Sequence, residues 1–210
     1  MPRPDRSPAG SDRAAKVAKI QKAGAAADRR RSGLIWGAVA LILVLIVGLV
    51  AWAIIRDSPA LVDLSAVEEY ENSAQQHTTE PVEYDVMPPV GGEHHPTWFN
   101  CGVYQEELPL EHVVHSLEHG AVWLTYQPDL PADQVEVLED LGEQEYMMVS
   151  PLAAQDSPVV ATSWDTQLTL EEADQRTLQA FIREYKQGPK TPEPNALCTN
   201  GTTIDLIPRG

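Results

Sequence analysis

The stretch His112-Val113-Val114-His115-Ser116-Leu117-Glu118-His119-Gly120-Ala121-Val122-Trp123-Leu124-Thr125-Tyr126 carries two secondary-structure signals back to back. In its first half, His115 and His119 stand four apart and His112 three before His115, so a helix presents all three imidazoles on one face. Gly120 ends that helix after about two turns. Ala121 to Tyr126, rich in β-branched and aromatic residues and followed by Pro128, predicts a buried strand. Working outward, Pro131 opens a second helix, with Val135, Leu138 and Leu141 spaced by three and Gly142 at its end. Glu145–Val149 and Pro158–Trp164 predict two more strands. Thr169-Leu170-Glu171-Glu172 fits a capping box ahead of a helix with Leu178, Phe181, Ile182 and Tyr185 on one face. The fold class that results is α+β, a compact domain with one core.

Upstream, His77 to Asn100 reads as loop, broken by Pro81, Pro88, Pro89, Gly91, Gly92 and Pro96, with one short strand predicted at Val82–Val86. Residues 56–76 form an acidic stalk, with a short helix predicted at Ser65–Ser73. Before it lies Leu34–Ile55, LIWGAVALILVLIVGLVAWAII, 22 residues without a charge. As a helix rising about 1.5 Å per residue this run is ~33 Å long, enough to cross a hydrocarbon core of roughly 30 Å. The chain is thereby divided into a disordered basic tail (1–33), a transmembrane helix (34–55), the stalk (56–76), an extracytoplasmic α+β domain (77–200) and a C-terminal tail (201–210).

Charge orients this arrangement. The 210 residues hold 15 Lys and Arg against 31 Asp and Glu, a net −16. Residues 1–33 alone carry nine cations and three acids, or +6, which leaves −22 for the remainder. Positive residues stay on the cytoplasmic side, so the N-terminus is expected inside and the acidic domain outside. Ala51-Trp52-Ala53 also fits a signal-peptidase site, but the apolar run is longer than a usual signal core and its basic leader is extended, which favours an uncleaved anchor. The expected partners are accordingly the lipid bilayer, through residues 34–55, and another envelope protein. An external domain at −22 repels phosphate backbones, which excludes nucleic acid as its ligand. No dinucleotide fingerprint, P-loop, nucleophile elbow or EF-hand loop is present.

The two cysteines, Cys101 and Cys198, both fall in the external domain. In an oxidising compartment, and with no C-x-x-C spacing, they are expected to form one structural disulfide rather than a thiolate site.

The six histidines fall between His77 and His119. Grouped imidazoles suit zinc or copper, and Met87, Met147 or Met148 nearby would favour Cu(I). His115-Ser116-Leu117-Glu118-His119 also matches the H-x-x-E-H pattern of inverted zincins, in which two His bind zinc and the Glu activates water. Gly120 stops the helix too early for that motif's usual setting, which argues more against an enzyme than for one. Against both stands a bland reading, in which the histidines donate and accept within a buried hydrogen-bond network and the domain serves as an interaction module.

Three runs carry a resemblance. Pro88-Pro89-Val90-Gly91-Gly92-Glu93-His94-His95-Pro96-Thr97-Trp98, Asn100-Cys101-Gly102-Val103-Tyr104 and Val114-His115-Ser116-Leu117-Glu118-His119-Gly120-Ala121-Val122-Trp123 closely resemble a bacterial domain-of-unknown-function family, number 3105, common in actinobacteria. The likeness continues through Tyr126-Gln127-Pro128-Asp129-Leu130-Pro131 and Thr191-Pro192-Glu193-Pro194 to Cys198, and spans about Leu64 to Cys198. It implies a single N-terminal span with an external domain, but no settled activity. It also implies a pattern that includes His77, His94, His115, Glu118 and His119, with the cysteine pair often present, and sets His95 and His112 apart as additions. The candidate metal ligands are therefore His77, His94, His115, Glu118 and His119, for copper or zinc, with no catalytic residue assigned.

Overall fold

The computed structural model describes residues 8–56, 62–71 and 74–207, and the chain divides into two units, Met1–Asp57 and Ser58–Gly210. The described residues of the first unit form one helix, α1 (Pro8–Arg56), of 49 residues. Within it Gly33–Ile55 is apolar and long enough to cross a membrane, and its large apolar side chains are exposed. From Pro8 onward the basic segment continues this helix where the sequence predicts a disordered tail. Its alanines, lysines, arginines and glutamine are strong helix formers that propagate an existing helix at little cost. The predicted tail's first seven residues lie outside the described residues.

The second unit is α+β. Its elements in chain order are β1 (Glu68–Glu69), β2 (Gly102–Val103), α2 (Leu110–Glu118), β3 (Val122–Tyr126), α3 (Ala132–Gly142), β4 (Met147–Pro151), β5 (Val159–Ser163), β6 (Thr166–Leu170) and α4 (Gln175–Tyr185). They form a mixed six-stranded sheet in the order β1-β6-β5-β3-β4-β2. β3 pairs parallel with β4 and antiparallel with β5, so it sits inside the sheet, and all five of its residues are buried. Alternation then sorts its side chains. Val122, Leu124 and Tyr126 face a core shared with Leu138 and Leu141 of α3 and Leu178, Phe181 and Ile182 of α4. Trp123 joins Val113, Val114 and Leu117 of α2 in a second core on the other face. Met147 lies in the first core and Met148 in the second. The sheet is thus sandwiched, with α3 and α4 on one side and α2 on the other.

Three expectations are corrected. Thr169-Leu170-Glu171-Glu172 does not cap a helix: Thr169 and Leu170 end β6, which pairs with β5 from Thr166↔Ser163 to Leu170↔Val159. The cap is Asp174, whose Oδ1 accepts from Arg176 N at 2.9 Å and Thr177 N at 3.2 Å. Val82–Val86 is not a strand; no strand among the described residues pairs with it, and Val82 N donates instead to Glu111 Oε1 at 3.0 Å. Ser65–Ser73 contains no helix among its described residues and supplies β1, which pairs antiparallel with β6 at the sheet edge; Asn72 and Ser73 lie outside the described residues.

Cys101 and Cys198 are disulfide-bonded, with Cα atoms 5.4 Å apart across a sequence separation of 97. Cys101 N also donates to Cys198 O at 2.8 Å, so backbone and disulfide fasten the C-terminal loop to the same point. A crosslink closing a loop of this length removes much denatured-state entropy. Replacing both cysteines by serine is expected to lower the unfolding free energy by about 2–5 kcal/mol; an unchanged midpoint in urea denaturation would refute it.

Candidate metal centre

α2 places the site. Its apolar residues face the second core, and residues Glu111 to Glu118 are all buried, the polar ones included. Buried polar groups need partners, and here the irregular segment before the helix supplies them. His95 N donates to Glu111 O at 3.2 Å, Phe99 N to His112 O at 3.0 Å, and Ser116 Oγ to Phe99 O at 2.7 Å. The loop from His94 to Asn100 is thereby laced along α2, side chain to backbone, and this brings His94 against a helix that begins 16 residues downstream, at Leu110. His77 arrives by a short parallel bridge: Thr78 N donates to His94 O at 2.8 Å and His94 N to Gln76 O at 3.0 Å.

One end of α2 is fixed by a third segment. Gln187 N donates to Gly120 O at 3.0 Å, its Nε2 donates to His119 O, and its Oε1 accepts from Asn195 N at 2.7 Å. Glu193 N donates to Glu118 O at 3.0 Å. The loop after α4 therefore closes over the C-terminus of α2. Gly120 permits this because its φ is +89°, and because a Cβ there would collide with the Gln187 side chain.

The imidazoles are oriented by carbonyls. His94 Nδ1 lies 2.7 Å from Gly92 O, His115 Nδ1 2.7 Å from His95 O, and His119 Nδ1 2.6 Å from Leu197 O. A carbonyl only accepts, so each Nδ1 carries the proton and each Nε2 is left to face inward. His94 Nε2 meets Glu118 Oε2 at 3.0 Å, and His77 Nε2 lies 3.9 Å from the same oxygen. The rings of His77 and His115 stack at 4.9 Å with 9° between planes. One ligand atom from each of His77, His94, His115 and Glu118 lies within 4.8 Å of every other. A tetrahedral zinc with bonds of about 2.0–2.1 Å spaces its ligand atoms by roughly 3.4 Å, so a small inward movement closes this group on an ion.

A second group shares His115. Its Nε2 is 3.0 Å from His119 Nε2, and His119 Nε2 is 3.4 Å from Glu193 Oε2. His115, His119 and Glu193 again offer ligand atoms within 4.8 Å of one another. The five sequence-proposed ligands therefore do not make one cluster: His77, His94, His115 and Glu118 come together, whereas His119 joins through His115 and brings in Glu193. Glu193 lies 74 positions beyond His119 in an acidic chain, where its one signal is its place in the run Thr191-Pro192-Glu193-Pro194, which does not mark it as a ligand. His112 shares the helix but not the site. Its Nδ1 donates to Thr97 O at 2.6 Å and its Nε2 accepts from Leu206 N at 3.1 Å, which satisfies the ring. His95 packs on His112, ring centroids 4.1 Å apart.

Burial lowers the pKa of His115 to about 4, reinforced by His119 and His94 and opposed by its bond to His95 O and by Glu118. At neutral pH its ring is therefore neutral. For Glu118, burial pushes the carboxyl up, but the His94 hydrogen bond and the charges of His94, His115 and His77 outweigh it and hold it below its ordinary value. A neutral imidazole and an anionic carboxylate are the protonation states that ligate metals. Trp164 lies edge-on to His94 at 5.9 Å, and Trp98 lies 4.9 Å from His119 and 5.8 Å from His115.

Residues 75–200 match the profile of a protein family described as "Protein of unknown function (DUF3105)", and they include every residue of both groups. Comparison with curated proteins and with solved structures returns no match.

Gly120→Ala is expected to cost ~1–3 kcal/mol, since the left-handed backbone and the Gln187 contact both oppose a Cβ. Thermal unfolding measures it; an unshifted midpoint would show that Gln187 does not hold the end of α2.

Proposed function

The chain belongs to the family of unknown function DUF3105, and we propose that it is a membrane-anchored cell-envelope protein whose external domain binds one transition-metal ion through His77, His94, His115 and Glu118. The observation that carries this reading is the pairing of His94 with Glu118. His94 Nδ1 faces the Gly92 carbonyl and Nε2 faces Glu118 Oε2, so both ring nitrogens meet acceptors. Such a ring needs either a second proton or a cation in the proton's place. Three nitrogens and one carboxylate oxygen then supply four ligands, with backbone carbonyls on the far side of His94 and His115 fixing tautomer and orientation, as outer-shell acceptors do in metalloproteins.

Donor type selects the metal. Nitrogen and carboxylate oxygen suit Zn(II) or Cu(II), whereas Cu(I) prefers sulfur. Both cysteines are in the disulfide, and Met147 and Met148 pack in the two apolar cores. Glu118 is one of the four groups, which leaves it a ligand rather than a free general base, so the hydrolase reading receives no support. Anchoring rests on the apolar helix Gly33–Ile55 and on the basic residues before it, which favour a cytoplasmic N-terminus. The disulfide supports an oxidising compartment for the domain.

The full chain in detergent, reconstituted with Zn²⁺ or Cu²⁺ and desalted, is expected to retain one ion by elemental analysis. His94→Ala and His115→Ala should each weaken binding at least tenfold to a hundredfold, whereas His112→Asn should not. A wild-type chain that retains no metal would leave the histidines as a structural network. The full chain should also stay with lipid vesicles through an alkaline wash, and a chain beginning at Arg56 should not; equal release of both would sink the anchor.

A further inference from the structure

The two groups cannot be filled together. His115 is common to both, and its Nδ1–H is committed to His95 O, so it has one lone pair to give. That same bond blocks an imidazolate bridge between two ions, because the second nitrogen faces a carbonyl. The groups also differ in completeness. His77, His94, His115 and Glu118 give four ligands, whereas His115, His119 and Glu193 give three and leave a coordination position open. Glu193 has 54% of its side chain exposed, while His119 and His115 are buried.

Resting on the metal-binding reading above, we propose that His119 and Glu193 form a second, loading position, from which a single ion passes to the four-ligand position with His115 as the shared pivot. His115 Nε2 stands 3.0 Å from His119 Nε2, and both rings donate Nδ1–H to carbonyls, so two lone pairs face each other. A cation or an extra proton must lie between them, which marks this gap as a second place for a cation independently of His94 and Glu118. Glu193 is aimed by its backbone, since its N–H holds Glu118 O. An ion arriving with water or another donor still attached is met by one exposed carboxylate and two imidazoles. It then exchanges His119 and Glu193 for His94, Glu118 and His77 without leaving His115. Each step swaps ligands on one ion, with no change of oxidation state and no free ion in between. Such a layout suits an exchangeable cargo ion rather than a permanent structural one.

Two tryptophans report the two positions unequally: Trp98 lies 4.9 Å from His119 and 5.8 Å from the shared His115, and Trp164 lies 5.9 Å from His94. Mixing Cu²⁺ with the full chain in detergent should quench fluorescence in two phases, at one ion per chain. Trp98→Phe should remove most of the first amplitude and Trp164→Phe most of the second. Glu193→Gln should slow the first phase at least tenfold. Glu171→Gln, which removes the same charge from an exposed residue outside both groups, should leave both phases alone. Two ions per chain, a single phase in the wild type, or equal rates in Glu193→Gln and wild type would each overturn the loading position while leaving the four-ligand site standing. No bound copper at all would overturn both.

Discussion

Three hydrogen bonds from an imidazole Nδ1–H to a backbone carbonyl organise this domain. Gly92 O, His95 O and Leu197 O hold His94, His115 and His119, and each bond fixes at once which nitrogen carries the proton and where the other points. A side chain alone does not have this property. An unrestrained imidazole rotates and exchanges tautomers, whereas one anchored to a carbonyl presents a single lone pair in a single direction. The three carbonyls come from segments that touch only because the chain is laced along α2 and sealed by Cys101–Cys198. The candidate site therefore depends on the global fold, although most of its candidate ligands lie within one short helix and the loop before it.

α2 carries two burdens. Its apolar side closes a core with Trp123 and Met148, and its polar side is buried as deeply under the wrapped loop. Burying a polar group without a partner costs about 1–3 kcal/mol, so the loop's conformation is dictated by what the helix side chains require. His112 and Ser116 are fully satisfied by Thr97 O, Leu206 N and Phe99 O and act as fasteners. His94 and His115 are different: their outer nitrogens are satisfied and their inner ones meet other acceptors. The histidines thus divide by whether both ring nitrogens have complementary partners, as in His112, or not, as in the candidate ligands His94 and His115.

Sequence made some of this legible and hid the rest for physical reasons. The strand at Val122–Tyr126 was readable because burial on both faces demands a continuous apolar and β-branched run, and α3 because its apolar residues repeat at helical spacing beyond Pro131. β6 was hidden because Thr169–Glu172 satisfies a local capping rule, while its strand state comes from pairing with β5, a non-local cause. Among the candidate ligands, the nearness of His115, Glu118 and His119 was readable from helical spacing, whereas His77 and His94 were proposed only from the density of histidine. Their division into two groups was not, because it depends on ring directions set by Gly92, His95 and Leu197. Glu193 and Gln187 belong to a loop whose approach is permitted by the positive φ of Gly120, and the run Thr191-Pro192-Glu193-Pro194 does not itself say where that loop docks.

A hydrogen-bond network built for stability would look otherwise. Networks stabilise when every donor meets an acceptor and are costly when half satisfied, and apolar replacement of a buried polar group is often neutral or better. Here the fasteners obey that rule, whereas His115 and His119 set nitrogen against nitrogen at 3.0 Å, and His94 Nε2, 3.0 Å from Glu118 Oε2, complements it only with a second proton or a cation between them. Each of these mismatches is resolved by a single positive charge placed between the two atoms. A proton serves for one contact at a time, whereas a divalent ion satisfies several lone pairs together and offsets the charge of Glu118. The acidic balance after residue 33, a formal −22, acts in the same direction, since it concentrates cations near the exposed edges at His77 and Glu193. On the metal-binding proposal, one coordinated cation would answer the buried contacts, the carbonyl anchors and the surface charge together.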